Sequence, residues 1–588
     1  MKIEKNGNLL GQIFLCIVLI FAFAFNPLIS HWKAQSYVYL FFFASLIFSV
    51  PLILLQFKKA QKLNSIDIAI LVLFLLINIS SITNIKDYRI SINDSTLSLS
   101  FILLLYFPLK YMISRDYYSV SQVFIAIFDL NLLVAIVQCA YCYYYDSDIS
   151  LGIKGGFGHS GIYSIYLASF IPIRLYNTKK TDKNILFRAR TYFLLSLILI
   201  LLVLSQSRTG IMLYTLCLII IYYDFIKRFF THNKFKNTLL FLTIILLITI
   251  CSALIYIKLP SATGRLFIWK NGLDMFIQKP IMGWGSGGFE KHYLTQQAIY
   301  FKNHNYSNLY KSIAEGVTSP FNEYLRILIE FGLLGFTLIT LAIYALYSFS
   351  KNNKKQDYSY FLTLFLILLS AVFYFTFQST GILLVILLCV TYISTIKNKF
   401  KVHISLNSKT AGIVRIFMFA ICCSLFYYNL EQYTATKQWE KAIKHVESYP
   451  EISLKVYKDI NIQLGHRPAF IYNYGVELFE SRNYKDCLEI FKNLKDKIIT
   501  LDGMLYLGRS YQALKNYEEA KVIFLEASNM VPNRFLPKYH LYKLYLEMNN
   551  HLQAGIIARE ILRMPIKVPS TEVNDIKKEA ERFVNKIK

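Results

Sequence analysis

The sequence predicts an all-α protein: about thirteen membrane-crossing helices, then a C-terminal helical-repeat domain. Three observations lead there. Apolar runs close to the ~20 residues that a helix needs to cross a bilayer recur along most of the chain. Of 588 residues, 55% are hydrophobic and only 17% charged. The last part then changes to a period of about 34 residues, in which small and large apolar residues alternate.

Each span follows from an apolar run. The limits are 9–30, 37–57, 66–83, 97–113, 119–142, 160–176, 191–206, 209–226, 238–257, 323–349, 359–376, 379–396 and 411–430. The first run is too long for a signal h-region and lacks a small-x-small cleavage site, so it reads as the first span. Lys and Arg number 63 against 36 Asp and Glu, a net charge of +27. The apolar content excludes a disordered basic chain. The basic residues fall in short clusters between apolar runs, which argues against a nucleic-acid binder. Eight of the nine cysteines lie in apolar runs, Cys139 and Cys142 among them, and no disulfide framework is indicated.

Lys/Arg bias sets the orientation. With the N-terminus inside, the inner loops hold Lys58, Lys59 and Lys62, then Lys179 to Arg190, Lys227 to Lys236, Lys351 to Lys355, and Lys397 to Lys409. The short outer loops hold only Lys33, Lys86, Arg89, Lys154 and Arg208. A large loop, 258–322, and the tail after 432 therefore share the outer face. The expected domains are 1–432, membrane, and 433–588, repeats.

In the tail, Gly508, Tyr511, Ala520, Phe524, Ala527 and Pro532 occupy the knob positions of a helix hairpin. Gly475, Leu478, Cys487, Phe491 and Leu494 take those places one repeat earlier, and Tyr545, Ala554, Ala558 and Ile561 one later. The pattern resembles tetratricopeptide repeats, which present a surface to a protein partner; a structural cap is the plainer reading.

Polar signals concentrate on the outer face. Arg208, in Ser205-Gln206-Ser207-Arg208-Thr209-Gly210, reads either as a snorkelling arginine or as an anion site, with Ser205, Ser207 and Thr209 adding hydroxyls. In the large loop, Leu266, Trp269, Leu273 and Phe276 recur at helical spacing and predict one apolar face at the membrane surface. Arg265 is expected near that helix's N-terminal amides. Gly283, Gly285 and Gly288 spell G-x-G-x-x-G, but no strand precedes them, so they read as glycine turns rather than a dinucleotide site. Glu323, Arg326 and Glu330 share one helical face, as an ion network or a substrate-positioning group. His159, His292, His304, Glu290, Glu315 and Glu323 are candidate bases. No metal-ligand spacing occurs. Asp129 is a carboxylate within a span with no assigned partner.

These segments resemble the O-antigen ligase and polymerase superfamily of bacterial envelope glycosyltransferases. The resemblance rests on Ser205–Gly210, on Gly264-Arg265 through Trp269 and Pro280 to Gly283-x-Gly285, and on Asn322-Glu323-Tyr324-Leu325 followed by Glu330-x-Gly332-x-x-Gly335. Gly156-Phe157-Gly158-His159 adds a glycine-rich loop. It implies a metal-independent, cofactor-free enzyme of the bacterial inner membrane, taking glycan from an undecaprenyl-pyrophosphate carrier at the periplasmic face. The acceptor would be a hydroxyl on lipid A–core, a growing glycan or a protein. Arg208 and Arg265 would hold the departing pyrophosphate, with His304 or Glu323 as base. Ser205, Ser207, Thr209, Trp269, Asn322, Tyr324, Arg326 and His159 would bind substrate. Ligases commonly carry His just before the Asn; here it is Phe321. A lipid-linked-glycan transporter and a membrane-anchored scaffold are the readings from other classes.

Overall fold

The computed structural model describes residues 2–24, 35–56, 61–83, 94–145, 153–157, 159–179, 185–223, 227, 259–303, 308–350, 358–395 and 403–587. In chain order the helices begin with α1 (Lys2–Ala24), α2 (Tyr39–Gln56), α3 (Ser65–Thr83), α4 (Asp94–Leu104) and α5 (Tyr106–Tyr144). Next come α6 (Ser160–Lys179), α7 (Ile185–Leu204), α8 (Arg208–Ile221), α9 (Leu259–Gln278), α10 (Gly288–Asn303), α11 (Asn308–Ile313) and α12 (Glu323–Ser350). The last apolar helices are α13 (Tyr358–Ser370), α14 (Thr380–Thr395) and α15 (Ser408–His445). The tail holds α16 (Pro450–Leu464), α17 (Pro468–Glu480), α18 (Tyr484–Lys497), α19 (Leu501–Ala513), α20 (Tyr517–Met530), α21 (Phe535–Glu547), α22 (His551–Arg563) and α23 (Thr571–Ile587).

Among the described residues, four helical stretches are long and apolar enough to cross a membrane: Ser36–Leu55, Tyr118–Tyr144, Glu323–Tyr344 and Ser408–His445. Six shorter apolar helices stand where other spans are expected, and the expected span at 238–257 lies outside the described residues. The fourth and fifth spans differ from expectation. The fourth is interrupted near Leu105, and α5 continues through a non-helical Asp116 into the fifth.

The chain divides into two compact units, 1–251 with 341–437, and 252–340 with 438–588. The large loop thus groups with the repeats, a different cut from the one at 432/433.

In the first unit, ring stacking ties helices together: Phe42 on Phe101 at 4.6 Å, Phe128 on Phe170 at 4.9 Å, and Tyr360 on Tyr392 at 4.1 Å. Lipid supplies no hydrophobic drive between spans, so such close packing carries the association. Asp129 finds its partner here: Arg174 of α6 donates to both its oxygens, at 3.2 and 3.1 Å. Among the described residues the all-α expectation has one exception, a short antiparallel pair of β1 (Gln61–Asn64) and β2 (His403–Leu406), with Gln61 opposite Leu406. The Lys/Arg bias leads one to expect both segments in inner loops, and their pairing requires only that they share a face. Asn64 also donates to Ser394 O at 2.9 Å, and Asp67 is held by Lys110 and by the Tyr106 hydroxyl at 2.6 Å.

In the second unit, α17/α18, α19/α20 and α21/α22 form three successive hairpins. Each turn places one residue in the left-handed region: Arg482, Lys515 and Asn549, at φ 59°, 63° and 57°. Gly475 lies under the Phe491 ring and Gly508 under Phe524, where an added Cβ would come within 2.7 and 2.4 Å. At the equivalent positions of the third hairpin the sizes are exchanged, with Tyr542 and Ala558, and both are buried.

Candidate active site

In the first unit, the polar residues expected at the outer face gather where α6, α7, α8 and α13 end. Gln206 takes φ 49°, which turns the chain sharply from α7 into α8. Ser207 caps α8 by accepting from Gly210 N at 3.2 Å. That placement leaves Arg208 and Thr209, both half-buried, in the first turn of α8. Ser205 is buried and spends its hydroxyl on Leu202 O (2.9 Å) and Ser164 Oγ (3.0 Å), so it is a packing residue. His159 Nδ1 accepts from Gly161 N at 3.0 Å and meets the Tyr374 hydroxyl at 2.7 Å. Desolvation on its packed side, with Lys154 adding to it, lowers the pKa of His159 below the usual histidine value. Sequence pattern does not single out Tyr374; an aromatic inside an apolar run carries no signal of such a contact.

The second unit is built around a break in α12. Gly332 sits at φ 63°, ψ −162°, a conformation open almost only to glycine. A helix break frees carbonyls before it and amides after it. The segment Pro280–Gly285 satisfies both sets. Trp284 N and Gly285 N donate to Ile329 O and Glu330 O at 2.9 and 2.8 Å, while Leu333 N and Leu334 N donate to Pro280 O and Ile281 O at 2.8 and 3.2 Å. Gly283, Gly285 and Gly287 all have positive φ. At Gly283 a Cβ would lie 2.5 Å from Glu330 O. The glycine motif is therefore a backbone clasp on α12.

Helix α9 does not present the single apolar face expected. Trp269 and Phe276 turn inward against Ile268, Met275, Phe289, Tyr293, Leu325 and Ile329. Leu266 and Leu273 stay exposed, as do Ile277, Ile281 and Met282. Nor does Arg265 stand at the helix N-terminus: α9 begins at Leu259, so Arg265 is in the second turn.

Arg265 instead lines a cavity of about 210 Å³ with Phe267, Ile268, Tyr293, Glu315 and Phe321 among its walls. Its guanidinium carbon lies 5.2 Å from the centre of the Phe321 ring. Phe321 has φ 54°, a strained value for a bulky residue. The motif around it produces that pose. Trp269 Nε1 donates to Pro320 O at 2.8 Å, Ser319 Oγ accepts from Phe321 N at 3.3 Å, and Asn322 caps α12 through Leu325 N at 3.0 Å. Trp269 and Asn322 thus shape the turn that lays Phe321 over Arg265.

Arg326 lies between Glu323 (3.3 Å) and Glu330 (3.8 Å), and both carboxylates are buried. This is an ion cluster within the first turns of α12, and Glu323 belongs to it rather than to the cavity wall. Tyr324 is half-buried. His292 packs on the Trp284 ring at 4.6 Å, away from the cavity lining, and burial with Lys291 and Lys279 nearby lowers its pKa. His304 lies outside the described residues. The carboxylate that does line the cavity, Glu315, pairs with Lys567 at 2.6 Å. Among the described residues no group of three or more potential metal ligands occurs.

Phe321→His is expected to fold, because histidine is among the residues that tolerate the left-handed region. Removing the phenyl ring from over the guanidinium should cost about 1 kcal/mol, readable as a small fall in thermal midpoint. An unfolded variant would make Phe321 purely structural.

A family model described as O-Antigen ligase matches residues 193–340. That span contains the α7–α8 turn, Arg208, Arg265, the clasp and the Phe321 turn. It supports a membrane enzyme of the ligase and polymerase kind that transfers glycan. No curated protein matches the chain. A crystal structure of yeast Tom70 aligns over 88% of this chain and 95% of its own, at 11% identity and a TM-score of 0.21, which carries no argument.

Proposed function

We propose that the protein transfers a glycan from an undecaprenyl-pyrophosphate carrier to an acceptor hydroxyl at the periplasmic face of a bacterial inner membrane, as an O-antigen ligase does. One observation supports this most: within the matched segment, a guanidinium lines a cavity of about 210 Å³. A fixed cation in a partly apolar recess is suited to charge that develops on a leaving pyrophosphate. Arg265 takes that role in this reading, and Arg208 is the second arginine that the family resemblance implicates. No metal takes part in it.

Deletion of the gene tests the reading. Full-length glycan should accumulate on the carrier and vanish from lipid A–core. Single repeat units on the carrier would mean a polymerase instead. Unchanged pools would reject glycan transfer and return the transporter and scaffold readings. The second reading is a protein acceptor, favoured by the three helical hairpins in the same compact unit as the cavity. It predicts chains missing from glycoproteins alone.

A further inference from the structure

We propose that the second helical repeat is a positioning element of the Arg265 cavity, holding the 312–315 wall in place, so that the repeat array is part of the site. The catalytic role of the cavity rests on the function proposed above; the clamp stands on its own contacts.

The wall needs an outside support. Residues 314–322 have no helix or strand of their own, and buried backbone polar groups without regular structure must find partners elsewhere. The repeats supply them. Asn533, in the turn after α20, donates to both Ser312 O and Ala314 O at 2.9 Å. These carbonyls flank Ile313 and precede Glu315, both of which line the cavity.

A second set of bonds runs through Gln297 of α10, which is fully buried. Its Nε2 donates to Met530 O at 2.5 Å, a carbonyl left open where α20 ends. The same nitrogen lies 3.4 Å from Glu315 O, and Oε1 accepts from the hydroxyl of Tyr293, a cavity residue, at 3.0 Å. One buried amide thus ties a repeat helix to two parts of the cavity lining. Lys567, which bonds Glu315, stands at the position of the next repeat equivalent to Asn533. Two consecutive repeats therefore grip the same segment with the same position. The first repeat has Thr500 there, which caps α19 through Gly503 N instead.

The test uses full-length protein in lipid nanodiscs, comparing Asn533→Ala with Gln297→Met, which leaves the array's own sequence untouched. In both, amide exchange across 308–322 should speed up about tenfold, while exchange across 468–526 stays at the wild-type rate. Protection of Arg265 from phenylglyoxal by inorganic pyrophosphate should weaken by a similar factor. Wild-type exchange across 308–322 in both variants overturns the proposal. If exchange rises but pyrophosphate never protected Arg265 in the wild type, the clamp stands and the pyrophosphate reading falls.

Discussion

Gly332→Ala is expected to prevent accumulation of folded protein, or to lower its thermal midpoint more than any single glycine change in the large loop that packs against it. An alanine Cβ there would lie 2.2 Å from Ile281 O and 2.8 Å from Met282 N, so backbone must move. The left-handed extended conformation alone costs about 1–3 kcal/mol for a non-glycine residue. Displacing Pro280–Gly285 then breaks up to four backbone bonds across the break, each worth about 1 kcal/mol, more where a buried group is left unpaired. The sum reaches the range, above about 4 kcal/mol, that only a few mechanisms produce. Gly285→Ala is the control. It also has positive φ, at 84°, but nothing lies within 4 Å of its added Cβ, so about 1–2 kcal/mol is expected. Equal yields and melting curves for Gly332→Ala and wild type would reject the clasp.

Arg265→Ala should lower glycan transfer by about 10²-fold or more, the usual cost of removing a preplaced charge-stabilising group. Insertion and folding should survive, since the guanidinium's attraction to the Phe321 ring is worth about 1 kcal/mol. Arg265→Lys should recover only part of the activity, because an ammonium keeps the charge but not the planar fork that binds a phosphate in two places. Arg208→Ala belongs in the same assay. It sits in the first turn of α8, where backbone amides also favour an anion. Wild-type turnover in well-inserted Arg265→Ala would remove the cavity from the mechanism.

Several parts of this molecule are legible in the sequence because they depend on local pattern. The helical nature of the apolar runs and the hairpins with Gly475 and Gly508 under phenylalanines follow from spacing and residue size, whereas Ser207, read as a hydroxyl for an anion, caps α8 in the folded chain. Helix α9 is legible as a helix, but its faces are not. Leu266, Trp269, Leu273 and Phe276 are equally apolar, and only the position of α12 decides that Trp269 and Phe276 turn inward.

The site shows the same division. Sequence motifs mark Trp269, Asn322, Ser205 and Glu323 as candidates for catalysis or substrate contact. In the folded chain Trp269 bonds Pro320 O, Asn322 caps a helix, Ser205 joins two helices, and Glu323 sits in an ion cluster. Phe321 stands out in the sequence only as a departure from the family's histidine, and its ring over Arg265 has no local signal. Asp129 has no partner in the sequence pattern; the packing of α5 against α6 brings Arg174 to it.

The sequence by itself determined the elements: where apolar helices run, where the helical repeats fall, and where the polar segments between the apolar runs lie. These depend on the periodicity and polarity of neighbouring residues, which a chain carries with it. Only the tertiary structure decided that Pro280–Gly285 closes over Gly332, that Phe321 covers Arg265, and that Asn533 holds a wall more than 200 residues earlier in the chain. The reason is physical. Backbone carbonyls are the same at every residue and amides at every residue but proline, so sequence pattern does not name their partners. Which distant carbonyl an amide meets is fixed when the helices pack.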